Sequence, residues 1–193
     1  MNNRTLGIGA LVIVLATFLA SFLHRDGLHS HPQFISVFTL AKAIKSRERI
    51  VLVDLRSDSV YLQLHIPTAK NVTLSRLDSL VLPPDYLLII YSGEDMLARQ
   101  AWNAISEDQR SVTKVVYGGM GDWYHYILYP TLPLHPEVQH LELIRQVKEL
   151  SSFYGGQPEF TNQRVQMEGY YVDPDQSEWP EIMADHAFVR KGC

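Results

Sequence analysis

Short apolar runs alternate with helical stretches through the middle of this chain, and that alternation restricts the fold more than any other feature. The clearest run, Ile50–Asp54, is apolar throughout and ends in an acid, as expected of a strand buried on both faces. The pattern predicts further strands at 71–74, 86–91 and 112–117. It predicts helices at 37–45, capped by Ser36, and at 57–63, 96–105 and 121–127. The sequence therefore predicts an α/β fold with a mainly parallel sheet flanked by helices.

Composition limits the number of domains and the classes of partner. A chain of 193 residues with 46% hydrophobic content suits one compact domain with appendages. The formal net charge of -4 provides no basic surface for nucleic acid, so we expect no nucleic-acid partner. Cys193 is the only cysteine, which excludes an internal disulfide and a cysteine-based zinc site. We expect neither a metal nor a cofactor.

The chain begins with a five-residue tail followed by eighteen uncharged residues, 6–23. As a helix this run would be about 27 Å long, which nearly spans a hydrocarbon core of about 30 Å. It predicts a single-pass transmembrane anchor in the cytoplasmic membrane, with an uncleaved anchor favoured over a signal peptide because large residues follow it. We expect the soluble part on the extracytoplasmic side. Residues 24–33 form a polar linker, whose three histidines lack the companion ligands of a metal site.

Ligands of parallel sheets bind beyond the carboxyl ends of the strands. The expected binding region is therefore formed by the turns after Asp54, Tyr91 and Tyr117. Four motifs lie at or near these turns, and they occur in the order Val53-Asp54-Leu55-Arg56, His65-Ile66-Pro67-Thr68-Ala69-Lys70-Asn71, Tyr91-Ser92 and Tyr117-Gly118-Gly119-Met120-Gly121-Asp122-Trp123. In order and spacing they resemble the successive signatures of a rhodanese-like domain over about residues 34–135. Thr68 stands where that family usually has glycine.

The resemblance implies where a reactive group would lie. Catalytic members carry a persulfide on a cysteine that opens a six-residue loop, whose backbone N–H groups cradle the anion. Here that loop corresponds to Ser92, Gly93, Glu94, Asp95, Met96 and Leu97. Ser92 takes the place of the cysteine and Leu97 that of a frequent arginine, while Glu94 and Asp95 add negative charge. We therefore expect no catalytic residue in the loop and interpret it as a ligand-binding loop.

The other motif residues are interpreted as structural. Asp54 and Arg56 are expected to form an ion pair that orients loops, and His65 to bond to backbone at a turn. Gly118 and Gly119 are expected to allow a tight turn with positive φ, with Trp123 packing on the domain. The sequon Asn71-Val72-Thr73 lies in a predicted strand and is interpreted as coincidental.

The C-terminal part is predicted to contain a helix over 136–153 and a tail over 154–193. Apolar residues at helical spacing form one stripe, consisting of Val138, Leu141, Ile144 and Val147, which would pack on the domain or on a partner. The tail mixes aromatic and acidic residues and ends in Cys193, which follows Arg190 and Lys191 closely. These cations would favour a thiolate, so Cys193 is a candidate alternative thiol.

Three functions are compatible with these features. The first is a membrane-tethered, catalytically inactive rhodanese-like domain that binds a protein or small ligand through the loop at Ser92. The second is a sulfurtransferase or sulfur carrier that uses Cys193. The third is a structural envelope-assembly role for the C-terminal helix and tail, in which truncation after Phe153 removes association and leaves the domain folded. The sequence favours the first.

Overall fold

A computed structural model of the chain describes residues 32–77, 79–93, 95–165, 167 and 170. Its strands are β1 (Gln33–Ile35), β2 (Ile50–Asp54), β3 (Lys70–Asn71), β4 (Leu87–Tyr91), β5 (Thr113–Val116), β6 (Thr131–Pro133) and β7 (Glu159–Thr161). Its α-helices are α1 (Val37–Lys45), α2 (Asp58–Gln63), α3 (Leu74–Leu77), α4 (Asp95–Ala104), α5 (Glu107–Arg110), α6 (Gly119–Asp122) and α7 (Leu141–Phe153). A π-helix covers Trp123–Leu128, and a 3₁₀ turn covers Val138–His140.

The central sheet has five parallel strands in the order β1-β5-β4-β2-β3. Val53 pairs with Ile90, and Ile90 pairs with Val115, so β2, β4 and β5 end at the same edge. The α/β fold with a parallel sheet flanked by helices is therefore confirmed. The turns that follow these three strands lie together at that carboxyl edge.

Both faces of the sheet are buried, which explains the continuous apolar strands. On β4, Ile89 and Tyr91 pack in one cluster with α1, the π-helix and α7. Leu88 and Ile90 point to the other face and pack with α4 through residues such as Trp102. Each such aliphatic side chain stabilises the fold by about 1.5–3 kcal/mol relative to exposure.

Helix α1 begins where the sequence predicts. The Ser36 hydroxyl accepts a hydrogen bond from the Thr39 N–H at 3.2 Å and caps the first turn. The helix then buries Phe38, Leu40 and Ala41 against the sheet. Cap and apolar face together fix the position of the helix.

The chain beyond the π-helix continues the same core. Helix α7 buries Ile144, Val147 and Leu150, and further along the chain Met167 and Tyr170 join the same cluster. The Tyr154 hydroxyl donates to the Ala41 carbonyl at 2.6 Å, and Lys45 of α1 forms an ion pair with Glu149 of α7. The described residues after 153 are therefore packed into the domain.

Several predicted boundaries are wrong. The predicted strand at 71–74 ends at Asn71, because the chain leaves the sheet there and Leu74 begins α3. The predicted apolar stripe is only half buried: Val138 is 85% and Leu141 50% exposed. The 3₁₀ turn precedes α7 and changes the helical phase, so the buried stripe begins at Ile144.

The predicted transmembrane segment, residues 6–23, lies outside the described residues, as do the linker histidines. Within the described part of the chain, no helix is both long and apolar enough to cross a bilayer.

Candidate functional site

The turn after β4 places Ser92 at the carboxyl edge of the sheet, between β2 and β5. Ser92 is buried, with 3% of its surface exposed, whereas the next residue, Gly93, is exposed. Helix α4 begins two residues later at Asp95. A strand, a short turn and a helix thus present the chain at position 92, as the sequence predicts for the loop.

The backbone of Ser92 is held by the turn after β5. Its carbonyl accepts a hydrogen bond from the Met120 N–H at 3.2 Å. A Cβ atom on Gly119 would lie 2.2 Å from the same carbonyl, so only glycine fits at this position. Gly118 and Gly119 have φ of 63° and 52°, the left-handed conformation expected of this glycine pair.

On the other side of the turn lies the ion pair of Asp54 and Arg56. The Arg56 Nε lies 3.0 and 3.1 Å from the two carboxylate oxygens of Asp54, and Nη2 lies 2.6 Å from Oδ2. The Arg56 backbone N–H donates to Oδ1 as well, at 2.9 Å. Burial opposes the charge of Arg56, but hydrogen bonding to Asp54 raises its pKa. The guanidinium is therefore a neutralised structural group, and its Cδ lies 3.5 Å from the position of a Cβ on Gly93.

Tyr91 connects the end of β4 to the segment after α2. Its hydroxyl accepts a hydrogen bond from the Ile66 N–H at 3.0 Å, while Arg56 Nη2 donates to the Leu64 carbonyl at 2.6 Å. Burial raises the pKa of Tyr91 far above its usual range, and the neighbouring Asp54 carboxylate raises it further. The hydroxyl stays protonated and fixes the 64–66 segment beside the Ser92 turn.

Asn71 serves a similar positioning role. Its side-chain amide donates to the carbonyls of Asp54 at 3.1 Å and Arg56 at 2.7 Å. These bonds use the nitrogen that a glycan would need, which supports the interpretation of the sequon as coincidental. Sequence reasoning missed the contributions of Asn71 and Tyr91, although each occurs in a motif at the end of a strand.

His65 and Trp123 make their described contacts with residues outside the Ser92 turn. His65 is exposed, its ring stacks on Tyr61 with centroids 4.1 Å apart, and its Nδ1 lies 3.0 Å from the Tyr61 carbonyl. Trp123 is fully buried and contacts Tyr154 edge to face. Both side chains thus contact other residues of the domain itself.

The loop at 92–97 is described in part. Met96 is 66% exposed, and Leu97 is partly buried against the core. Glu94 and the side chain of Asp95 lie outside what the structure describes, and so does Cys193. Among the described residues, no group of three or more histidines, cysteines or acids has the geometry to hold a metal ion.

A family model for the Rhodanese-like domain matches residues 38–126. Among solved structures, an uncharacterized protein from Saccharomyces cerevisiae is 26% identical, with 49% of this chain and 92% of that one covered, and a TM-score of 0.43. A single-domain sulfurtransferase from the same yeast is 16% identical, with 50% and 91% covered and a TM-score of 0.44. A human single-domain sulfurtransferase is 20% identical, with 48% and 96% covered and a TM-score of 0.42.

A search of curated proteins finds no significant match to the chain. The family-model match nevertheless shows that residues 38–126 form a rhodanese-like domain. The four motifs that carried the resemblance lie at the carboxyl edge of the sheet or next to that edge.

Proposed function

We propose that this rhodanese-like domain is a binding module that transfers no sulfur, with Ser92 in the place of the family's persulfide-carrying cysteine. The observation that carries the proposal is the buried Ser92 at the end of β4, in the turn that the strand, Gly119 and Arg56 hold in position. A serine hydroxyl forms no persulfide, and it is a weaker nucleophile than a thiolate. The loop therefore binds a partner and transfers no sulfur.

The charges beside the turn support this choice. The Arg56 side chain lies beside Gly93, and its charge is compensated by Asp54 at 2.6 Å. The sequence adds two acids, Glu94 and Asp95, directly after Gly93. A small anion such as thiosulfate would meet these two acids and a guanidinium that Asp54 already compensates.

Exposed apolar side chains near the turn favour a protein partner. Leu64 is 41% exposed, and its carbonyl binds the guanidinium that lies beside Gly93. Met96 is exposed in the first turn of α4, and Leu62 is exposed near the end of α2. Apolar side chains at a rim of this kind are typical of protein interaction sites.

We further propose that residues 6–23 tether the domain to the cytoplasmic membrane in a single pass, with the domain on the extracytoplasmic side. The uncharged run of eighteen residues supports this. The tether is tested by alkaline extraction of membranes, which should leave the chain in the pellet, and by protease added to the outside of spheroplasts, which should digest the domain. Release by alkali or protection from protease would contradict it.

Site-specific photo-crosslinking tests the binding role. A photoreactive residue at Met96 of the full chain should crosslink one partner, and the same residue at Val138 should not. Leu64→Asp should abolish the Met96 crosslink, while the matched change Val138→Asp, also at an exposed site, should leave it intact. Equal crosslinking at both positions, or a Met96 crosslink unaffected by Leu64→Asp, would overturn the proposed binding loop.

A further inference from the structure

An open groove of about 1030 Å³ lies away from the Ser92 turn, in the part of the chain that follows the family-model match. Its walls are β6, the segment leading to α7, and the residues after β7, including His135, His140, Arg164 and Met167. None of these residues belongs to the motifs that define the rhodanese-like domain. Membership of the rhodanese-like family therefore assigns no function to this groove.

The polar lining of the groove favours a negatively charged occupant. Arg164 forms no ion pair with any residue that the structure describes, and the rings of His135 and His140 form no hydrogen bond with one. Of the described lining residues only Glu137 is acidic, and it accepts a hydrogen bond from Gln139 at 2.8 Å. A groove wall that carries a guanidinium without a described counter-charge and two imidazoles suits carboxylates.

The apolar lining favours an aromatic anchor. Pro133, Pro136, Val165 and Met167 contribute to the walls. Proline rings and a methionine side chain form the kind of surface on which an aromatic ring packs. The preferred occupant is thus a segment that combines acids with an aromatic residue.

The chain itself supplies such a segment at the groove. Tyr170 is buried, and its hydroxyl donates to the carbonyl of Thr131, a residue of the groove wall, at 2.9 Å. The following residues, 171–185, contain Trp179 and no lysine or arginine. Their acidic residues are Asp173, Asp175, Glu178, Glu181 and Asp185.

We propose that residues 171–185 bind in this groove, with the acids facing Arg164, His135 and His140 and Trp179 packed on the apolar wall. Trp179 follows Tyr170 by nine positions in the chain, which allows a reach of about 30 Å. An intramolecular segment of this length has an effective concentration in the millimolar range, so modest contacts suffice to seat it.

Tryptophan fluorescence of the full chain tests this directly. Trp102 and Trp123 are buried, so they are shielded from acrylamide, and the difference between the unaltered chain and Trp179→Phe reports on Trp179. We expect this difference signal to be blue-shifted and weakly quenched. The combined change of Arg164, His135 and His140 to Ala should shift it to the red and increase quenching several-fold.

The control is Arg145→Ala, which removes an exposed guanidinium of α7 that does not line the groove and should leave the signal unchanged. If the groove variant alters the emission of the buried tryptophans, a variant of the tail replaces it. In that variant Asp173→Asn, Asp175→Asn and Glu178→Gln are combined, and together they should expose Trp179. A Trp179 signal as quenchable as free tryptophan in the unaltered chain, or one that none of these changes alters, would overturn the proposal.

Discussion

The carboxyl edge of the sheet and the C-terminal extension, residues 127–170, are stabilised in different ways. The edge is held by polar contacts of short range: the Asp54–Arg56 pair, the Tyr91 hydroxyl and the close approach of Gly119 to Ser92. The extension is held mainly by apolar burial, through side chains such as Leu150 and Met167. The comparison shows that the domain carries its motifs at one end of the sheet, while much of its core comes from residues outside the family-model match.

Truncation after Phe153 should have the largest effect. It removes Met167 and Tyr170, large buried side chains that are worth about 2–5 kcal/mol each, and Tyr154, which is partly buried against the same core. The sum rivals the whole stability of a small domain, so we expect unfolding, in contrast to the folded truncated domain that the envelope-assembly hypothesis requires. Circular dichroism during thermal unfolding measures this. Truncation after Tyr170 is the control and should leave the thermal unfolding transition unchanged. The same transition in the chain truncated after Phe153 would show that the residues after 153 are not part of the core.

Removing Asp54 should produce the next largest effect. Asp54→Ala leaves the Arg56 side chain, only 11% exposed, without its counter-charge, which costs about 3–5 kcal/mol. Arg49→Ala breaks a pair with Asp85 in which both side chains are largely exposed, and should cost less than about 1 kcal/mol. Urea unfolding compares the two. Equal urea midpoints for both variants would show that the buried pair does not stabilise the carboxyl edge of the sheet.

Gly119→Ala should destabilise the edge by about 2–4 kcal/mol. The new Cβ would lie 2.2 Å from the Ser92 carbonyl, and alanine is strained at a φ of 52°. Gly121→Ala is the matched control, because a Cβ there meets nothing within 4 Å and alanine favours its helix. We expect the control to be neutral or slightly stabilising in the same urea titration. A neutral Gly119→Ala would mean that the two turns are free to move apart.

Thr68→Gly should produce the smallest effect, a gain of about 0.5–1 kcal/mol. Thr68 has a φ of 71°, a conformation that is costly for a β-branched residue, and glycine relieves that cost in excess of its entropic penalty. Thr68→Ala keeps a Cβ and should gain less. Destabilisation by glycine in thermal unfolding would show that the threonine side chain contributes a contact that outweighs the strain.

The sequence predicted the parts of the fold that carry long, regular patterns. Strand β2 and helix α1 have a continuous apolar run and a capped amphipathic face, so their bounds agree with the structure. Strands β1, β6 and β7 have three residues each, too few to show a period, and the π-helix leaves no distinct pattern. In the candidate site, the glycine pair was predicted to need positive φ. The contact that excludes a side chain at Gly119 could not be predicted, because it depends on the packing of β5 beside β4.

Whether the Ser92 turn performs sulfur chemistry is measured by sulfur transfer from thiosulfate to cyanide. The full chain should show no turnover above a Ser92→Ala variant, and Cys193→Ser should change nothing. Turnover by the unaltered chain would contradict the account, and its loss in Cys193→Ser would assign the chemistry to the C-terminal thiol.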